Sequence, residues 1–154
     1  MRIIEQTVDY GERAIFDLDE FLGRPLFAHL STASEDGPRE SPVWFLWESG
    51  LVWIIGGQSF PRNIQRDPRA AIGVVDFDPA SGVLHHVGMR GTADVLPYDP
   101  DSARRIIQKY CGPPELWHER FSDIRTGGCR LPMIRFVPST IVMRDQSYTV
   151  ASRR

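Results

Sequence analysis

The chain has 154 residues, of which 42% are apolar and 25% charged, with a formal net charge of −2. Those values describe one globular unit able to bury a core, and the balance gives no general attraction to nucleic acid or to a membrane surface. No apolar run approaches the ~20 residues of a membrane-spanning helix. The opening stretch MRIIEQTVDYGER lacks the apolar core of a secretory signal. Cys111 and Cys129 have no metal-ligand spacing and read as free thiols, so the expected compartment is the cytoplasm.

In chain order, Ala14, Leu18, Phe21 and Leu22 recur at helical spacing and predict a short helix over about 11–22, ended by Gly23 and Pro25. LFAHLSTA (26–33) reads as a strand and SEDGP (34–38) as a turn. RESPVWFLW (39–47) and LVWIIG (51–56) flank the tight turn ESG. Both strands are apolar on both faces, so one face fills a core and the other needs a cover: a helix, a second subunit or a flat ligand. RAAIGVVDF (69–77) is a further strand, and VLHHVGMRGTADVLP (83–97) a long one in which Gly88 and Gly91 predict a bulge or a close backbone approach. DPDSARRIIQKY (99–110) has the cap, the early proline and the apolar stripe of a helix. Trp117, Phe121 and Ile124 predict a second short helix stopped by Gly127 and Gly128, and LPMIRFVP and STIVMRD are two closing strands paired around Pro138. The sum is an antiparallel, closed or nearly closed sheet with helical additions, and no repeat or linker.

The local chemistry concentrates at SFPRNIQRDPRA (59–70), directly after a strand that ends in Gly56 and Gly57. Two glycines permit a sharp turn and close backbone approach. A turn of helix starting near Pro61 aims N–H groups outward, and a serine and arginines complete a place for an anion. The competing reading is a solvated helix with Ser59 merely as its cap. His85 and His86 are neighbours on a strand and must point to opposite faces, so they cannot jointly hold one metal. No catalytic triad, paired acid–base motif or metal motif stands out.

The ordered set LFAHLSTASEDGPRESPVWFLWESGLVWIIGG, then S…RNIQRDPRAAIGVV, then HVGMRGTADV with the helix after it, resembles the pyridoxamine 5′-phosphate oxidase-like flavin-binding split barrels over roughly residues 17–145. The resemblance implies a mainly β fold with α additions: a six-stranded antiparallel split β-barrel of Greek-key type, homodimeric. Residues 1–154 would form a single flavin-binding domain with a short N-terminal helix and two helices at about 99–124. It implies FMN as cofactor, with a deazaflavin cofactor or haem as alternatives. Carried over position by position, it implies that Ser41, Val43 and Trp44 line the flavin ring. Ile55 and Gly56 would lie near its phosphate end, with Ser59, Arg62 and Asn63 cradling the phosphate. Many relatives carry a lysine where this chain has Phe60, which leaves the charge to Arg62. Arg90 is placed to reach across the dimer. The implied activity is a flavin-dependent oxidation or reduction of an unidentified small molecule, with no nucleic-acid or membrane partner. The alternatives are a deazaflavin-dependent reductase, or a flavin- or haem-binding protein without turnover.

Overall fold

In a computed structural model, residues 1–7 and 15–151 are described. Among these residues eight strands form one sheet: β1 (Arg2–Thr7), β2 (Ala28–Ser34), β3 (Gly37–Val43), β4 (Leu46–Glu48), β5 (Leu51–Ile55), β6 (Arg69–Asp78), β7 (Val83–Leu96) and β8 (Met133–Asp145). The helices are α1 (Leu18–Gly23), α2 (Phe60–Arg66), α3 (Pro100–Cys111) and α4 (Ser122–Thr126). The strand order is β3-β2-β6-β7-β8-β5-β4, with β1 parallel to the second half of β8 and every other pairing antiparallel. β3 and β4 stand at opposite ends of that order, yet only Trp44 and Phe45 separate them. Two residues span at most about 11 Å from Val43 to Leu46. The sheet must therefore roll until its ends nearly meet.

The eight strands among the described residues differ from the seven read along the chain, and from the six that the resemblance implies, for local reasons. The expected strand 39–47 breaks at Trp44–Phe45, where the chain crosses from one sheet edge to the other. The two expected closing strands are one strand, β8. Its Pro138 sits opposite Gly91 at a register shift between Arg90 and Gly91, a place where a missing N–H is tolerated. A Cβ on Gly91 would lie 2.0 Å from the Val137 carbonyl oxygen, so the bulge requires glycine there. β1 was not expected; it uses the free edge of β8 beyond β5.

α1 starts at Leu18, where the Asp17 carboxylate accepts from the Glu20 N–H. The first part of the expected helix, 11–14, lies outside the described residues. α3 matches its reading: Asp99 accepts from the N–H groups of Asp101 and Ser102, and Pro100 opens the helix. The second expected helix is broken. Two 3-10 turns at Pro114–Leu116 and Glu119–Phe121 precede α4, and Trp117 sits in extended backbone between them. Trp117 and Ile124 still bury their side chains, because packing rather than continuous helix places them.

Two cores result. The first fills the barrel with Leu30, Phe45, Val52, Ile54, Val87 and Phe136 among others. The second lies outside the β4–β5 end, where Ile106, Ile107, Trp117 and Ile124 cover Trp44, Leu46, Trp53 and Ile55. The outer faces of the doubly apolar strands thus lie against the chain's own helices, with Trp44, Leu46, Trp53 and Ile55 half-buried. That removes the reason, drawn from the strands, for expecting a partner on this face. Lys109, the sole lysine, pins the arrangement: its Nζ donates to the carbonyls of Leu22 (2.7 Å) and Phe45 (3.1 Å) and stands 3.7 Å from the centre of the Phe45 ring. Burial pulls its pKa down to about 8.

Candidate functional site

β3 is an edge strand among the described residues, paired only with β2. One row of its backbone N–H and C=O groups therefore has no strand to bond, and such a row is an open template for another polar group. Arg39, Ser41 and Val43 alternate along one face of β3, each opposite an inward residue of β2: Thr32, Leu30 and Ala28. Four residues of strand cover about 13 Å. Arg39 lines one hollow and Val43 another, while Ser41, expected along the flavin ring, lies between them and lines neither.

The first hollow, of about 470 Å³, is polar. Ser59, Arg62 and Asn63 of the expected cradle all line it, so the structure brings these three together. Arg39 from β3 and Arg66 from the end of α2 join them, with Glu35 and Asp36 on the β2–β3 turn. Arg66 is spent on Glu35, 2.7 Å away. Arg39 and Arg62 are in no ion pair among the described residues. Asn63 donates from Nδ2 to the Thr32 hydroxyl at 3.2 Å, which ties α2 to the barrel end. Ser59 does not cap α2: its side chain makes no capping bond and its backbone is already helical. The hydroxyl and two guanidinium groups are therefore available to a ligand. Arg39 could have been found in the sequence, because it shares the face of Ser41 and Val43; its hollow is formed only when the β2–β3 hairpin meets α2.

The second hollow, of about 350 Å³, is largely apolar and lies between the β3–β4 crossing and the helices. Val43, Trp44 and Ile55 line it, with Phe121 and Leu131, so Ile55, expected near the phosphate end, lies instead with the residues expected along the ring; Arg120 is the one charged group on its wall among the described residues. Trp44 is half-buried. Tyr110 stacks on one face of it at 4.6 Å with only 3° between the rings, and Phe121 leans against it at 5.6 Å. Tyr110 is itself fixed: its hydroxyl donates to the Leu26 carbonyl at 2.6 Å and accepts from the Phe45 N–H at 3.3 Å. Burial raises its pKa to about 12, so it stays neutral and keeps donating through ordinary pH. Tyr110 was not singled out from the sequence beyond its place on the stripe of α3.

Gly56 has a role of a different kind. Its N–H donates to the Pro132 carbonyl at 2.7 Å, and a Cβ there would come 2.7 Å from the same oxygen. The close approach that requires glycine is to the chain itself. Phe60 is buried, and its ring lies 2.9 Å from where a Gly57 Cβ would be. A lysine at 60 would start from the core, not from the cradle, so the departure at Phe60 is a packing feature. His85 and His86 point to opposite faces as expected: His85 stacks on Phe16 at 4.3 Å and lies 3.6 Å from Asp145, while His86 lies 3.0 Å from Arg144. Arg90 is exposed on the outer face of β7, apart from both hollows.

A polar cradle with uncommitted cations, an edge strand and an apolar aromatic hollow, arranged along about 13 Å, suit a ligand with an anionic head and a flat apolar end. The family model described as pyridoxamine 5′-phosphate oxidase matches residues 17–122, which include both hollows' strands and most of the helical cover. No curated protein has a matching sequence. Among solved structures, the conserved hypothetical protein Rv2991 of Mycobacterium tuberculosis is 20% identical, covering 92% of this chain and 98% of its own, with a TM-score of 0.69. An F420 reductase is 26% identical, covering 83% and 98%, with a TM-score of 0.62. The General Stress Protein 26 of Bacillus anthracis is 13% identical, covering 85% and 94%, with a TM-score of 0.60.

Proposed function

Since the chain belongs to the pyridoxamine 5′-phosphate oxidase family, we propose that it is an FMN-binding oxidoreductase acting on a small molecule. The observation that carries this reading is the row Arg39–Ser41–Val43 on an edge strand, with the cradle at one end and the Trp44 hollow at the other. Arg39, Arg62 and the Ser59 hydroxyl would hold the phosphate, with Asn63 fixing the position of α2. Guanidinium groups suit this task because their planar fork takes two oxygens at once. The free edge of β3 would supply backbone hydrogen bonds to the polar rim of the ring, and Val43 and Ile55 an apolar bed that excludes water. Tyr110 holds the Trp44 plane. When bound, the flavin supplies the acceptance and return of hydride, and the chain positions what reacts.

A second reading, a deazaflavin-dependent reductase, is supported by the likeness to an F420 reductase. A flavin- or haem-binding protein without turnover is the third. The absorption spectrum of the purified protein separates them. A two-banded flavin spectrum is expected. A single deazaflavin band or a Soret band would replace the reading, and a colourless protein that ignores added FMN would end it.

We also propose a homodimer. With β4–β5 covered by α3, the contact falls to the outer face of β6–β8, where Val75 and Phe77 are 48% and 50% exposed. A stable contact buries more than about 1,000 Å². Light scattering that found only monomer at micromolar concentration would refute it.

A further inference from the structure

The outer face of β6, β7, β8 and β1 is ordered by register into three cross-strand rows. The first is Ala71, Arg90, Thr140 and Arg2; the second Gly73, Gly88, Val142 and Ile4; the third Val75, His86 and Arg144. Rows two residues apart along a strand are separated by about 6.6–7 Å. The middle row has two glycines, so its floor is bare backbone, and arginines rise on both sides. The result is a trough of about 530 Å³. That is within the range of small-molecule sites. None of the described residues lining it is acidic.

The side chains at its rim are organised. Arg144 Nη1 lies 3.0 Å from His86 Nδ1, an arrangement in which the guanidinium donates and the ring proton is on Nε2. That Nε2 overlies the glycine floor: it lies 3.7 Å from where a Gly73 Cβ would be and 3.6 Å from a Gly88 Cβ. Burial, and then the charge of Arg144, hold the His86 pKa below its usual value, which agrees with a neutral ring accepting from arginine. Arg2 and Arg90 are exposed and in no ion pair among the described residues.

We propose that this trough binds a small anion of charge two or more, held by Arg2, Arg90 and the His86 Nε2–H over the Gly73–Gly88 floor. A monovalent anion would match only one of Arg2 and Arg90, whereas a polyvalent oxyanion offers each of the two a pair of oxygens. The site shares no residue with the cradle on β3 and α2, and it goes beyond the cofactor reading.

Inorganic pyrophosphate titrated into the full chain by calorimetry, at constant ionic strength against acetate, tests the proposal. Pyrophosphate is expected to bind and acetate not. Arg90→Gln and Arg2→Gln should each weaken pyrophosphate about ten- to a hundredfold. Arg62→Ala, in the cradle, should leave this step unchanged and remove only a separate step in which pyrophosphate occupies the cradle. Gly73→Val fills the trough without changing charge, meets no atom closer than 3.7 Å at its Cβ, and should abolish binding while the melting temperature holds. Absence of pyrophosphate heat in the wild type, wild-type affinity in Gly73→Val, or loss confined to Arg62→Ala would each overturn the proposal.

Discussion

The outer face of β4–β5 carries Leu46, Trp53 and Ile55 and lies under α3, while the outer face of β6–β8 carries Gly73, Gly88 and Arg90 and lies open. Both belong to one sheet, and behind both the barrel core is closed. The difference follows from side-chain chemistry. Large apolar groups must leave water, so the chain returns a helix over them, whereas glycines and arginines have little apolar area to hide and instead offer a floor and charges. The covered half carries the second core and the Trp44 hollow, and the open half leaves a face for the trough and for assembly.

The sharpest way to break that comparison is to remove side chain from each half. Ile106 is 1% exposed in the second core. Ile106→Ala should cost about 2–5 kcal/mol. Val75, 48% exposed on the open face of the single chain, should change stability by less than about 0.5 kcal/mol when replaced by alanine, measured at a concentration where the chain is monomeric. Urea denaturation of both variants measures the contrast, and equal losses would mean that the open face is packed after all.

A smaller effect is expected at Lys109, which ties α3 to the carbonyls of Leu22 and Phe45. Lys109→Met leaves both carbonyls without that donor and should cost about 1–3 kcal/mol at pH 7. The pH dependence has a definite sign. Lys109 titrates near 8 in the fold against 10.5 ordinarily. Between those values the unfolded chain holds the proton and the folded chain does not, so this group makes stability rise with pH from about 8 towards 10.5. Tyr110 acts the other way higher up. Its pKa is raised from 10 to about 12, so the stability tied to its neutral form is lost as pH climbs through that window. Unfolding curves from pH 7.5 to 9.5 should therefore show a gain with pH in the wild type that Lys109→Met lacks; parallel pH profiles would refute the assignment.

Much of this was legible in the sequence because the signals were local. Asp99 and Pro100 mark the start of α3 wherever it packs, and the apolar run 51–55 gives a strand buried on both sides. The need for a cover was readable, but its identity was not: whether Ile106 and Ile107 return onto Trp53 or face a partner depends on tertiary placement. The cradle was partly readable, since Ser59, Arg62 and Asn63 are close in sequence. Arg39 reaches the same hollow only through the pairing of β2 with β3. The glycine motif misled in one respect, because Gly56 serves its contact with Pro132, a residue 76 positions on. The open trough escaped sequence reading altogether, as Arg2, Arg90 and Arg144 are united by register across three strands.

The central claim is that the β3 row holds a cofactor by an anionic head. The direct measurement is a fluorescence titration of FMN and of riboflavin, which lacks the phosphate, into the wild type and Arg62→Ala. A hydrogen bond to a charged group is worth about 1.5–3 kcal/mol. At about 1.4 kcal/mol per tenfold, Arg62→Ala should weaken FMN roughly ten- to a hundredfold and riboflavin far less. Equal losses for the two ligands would make Arg62 structural, and no loss for either would mean that the turn led by Pro61 holds no phosphate.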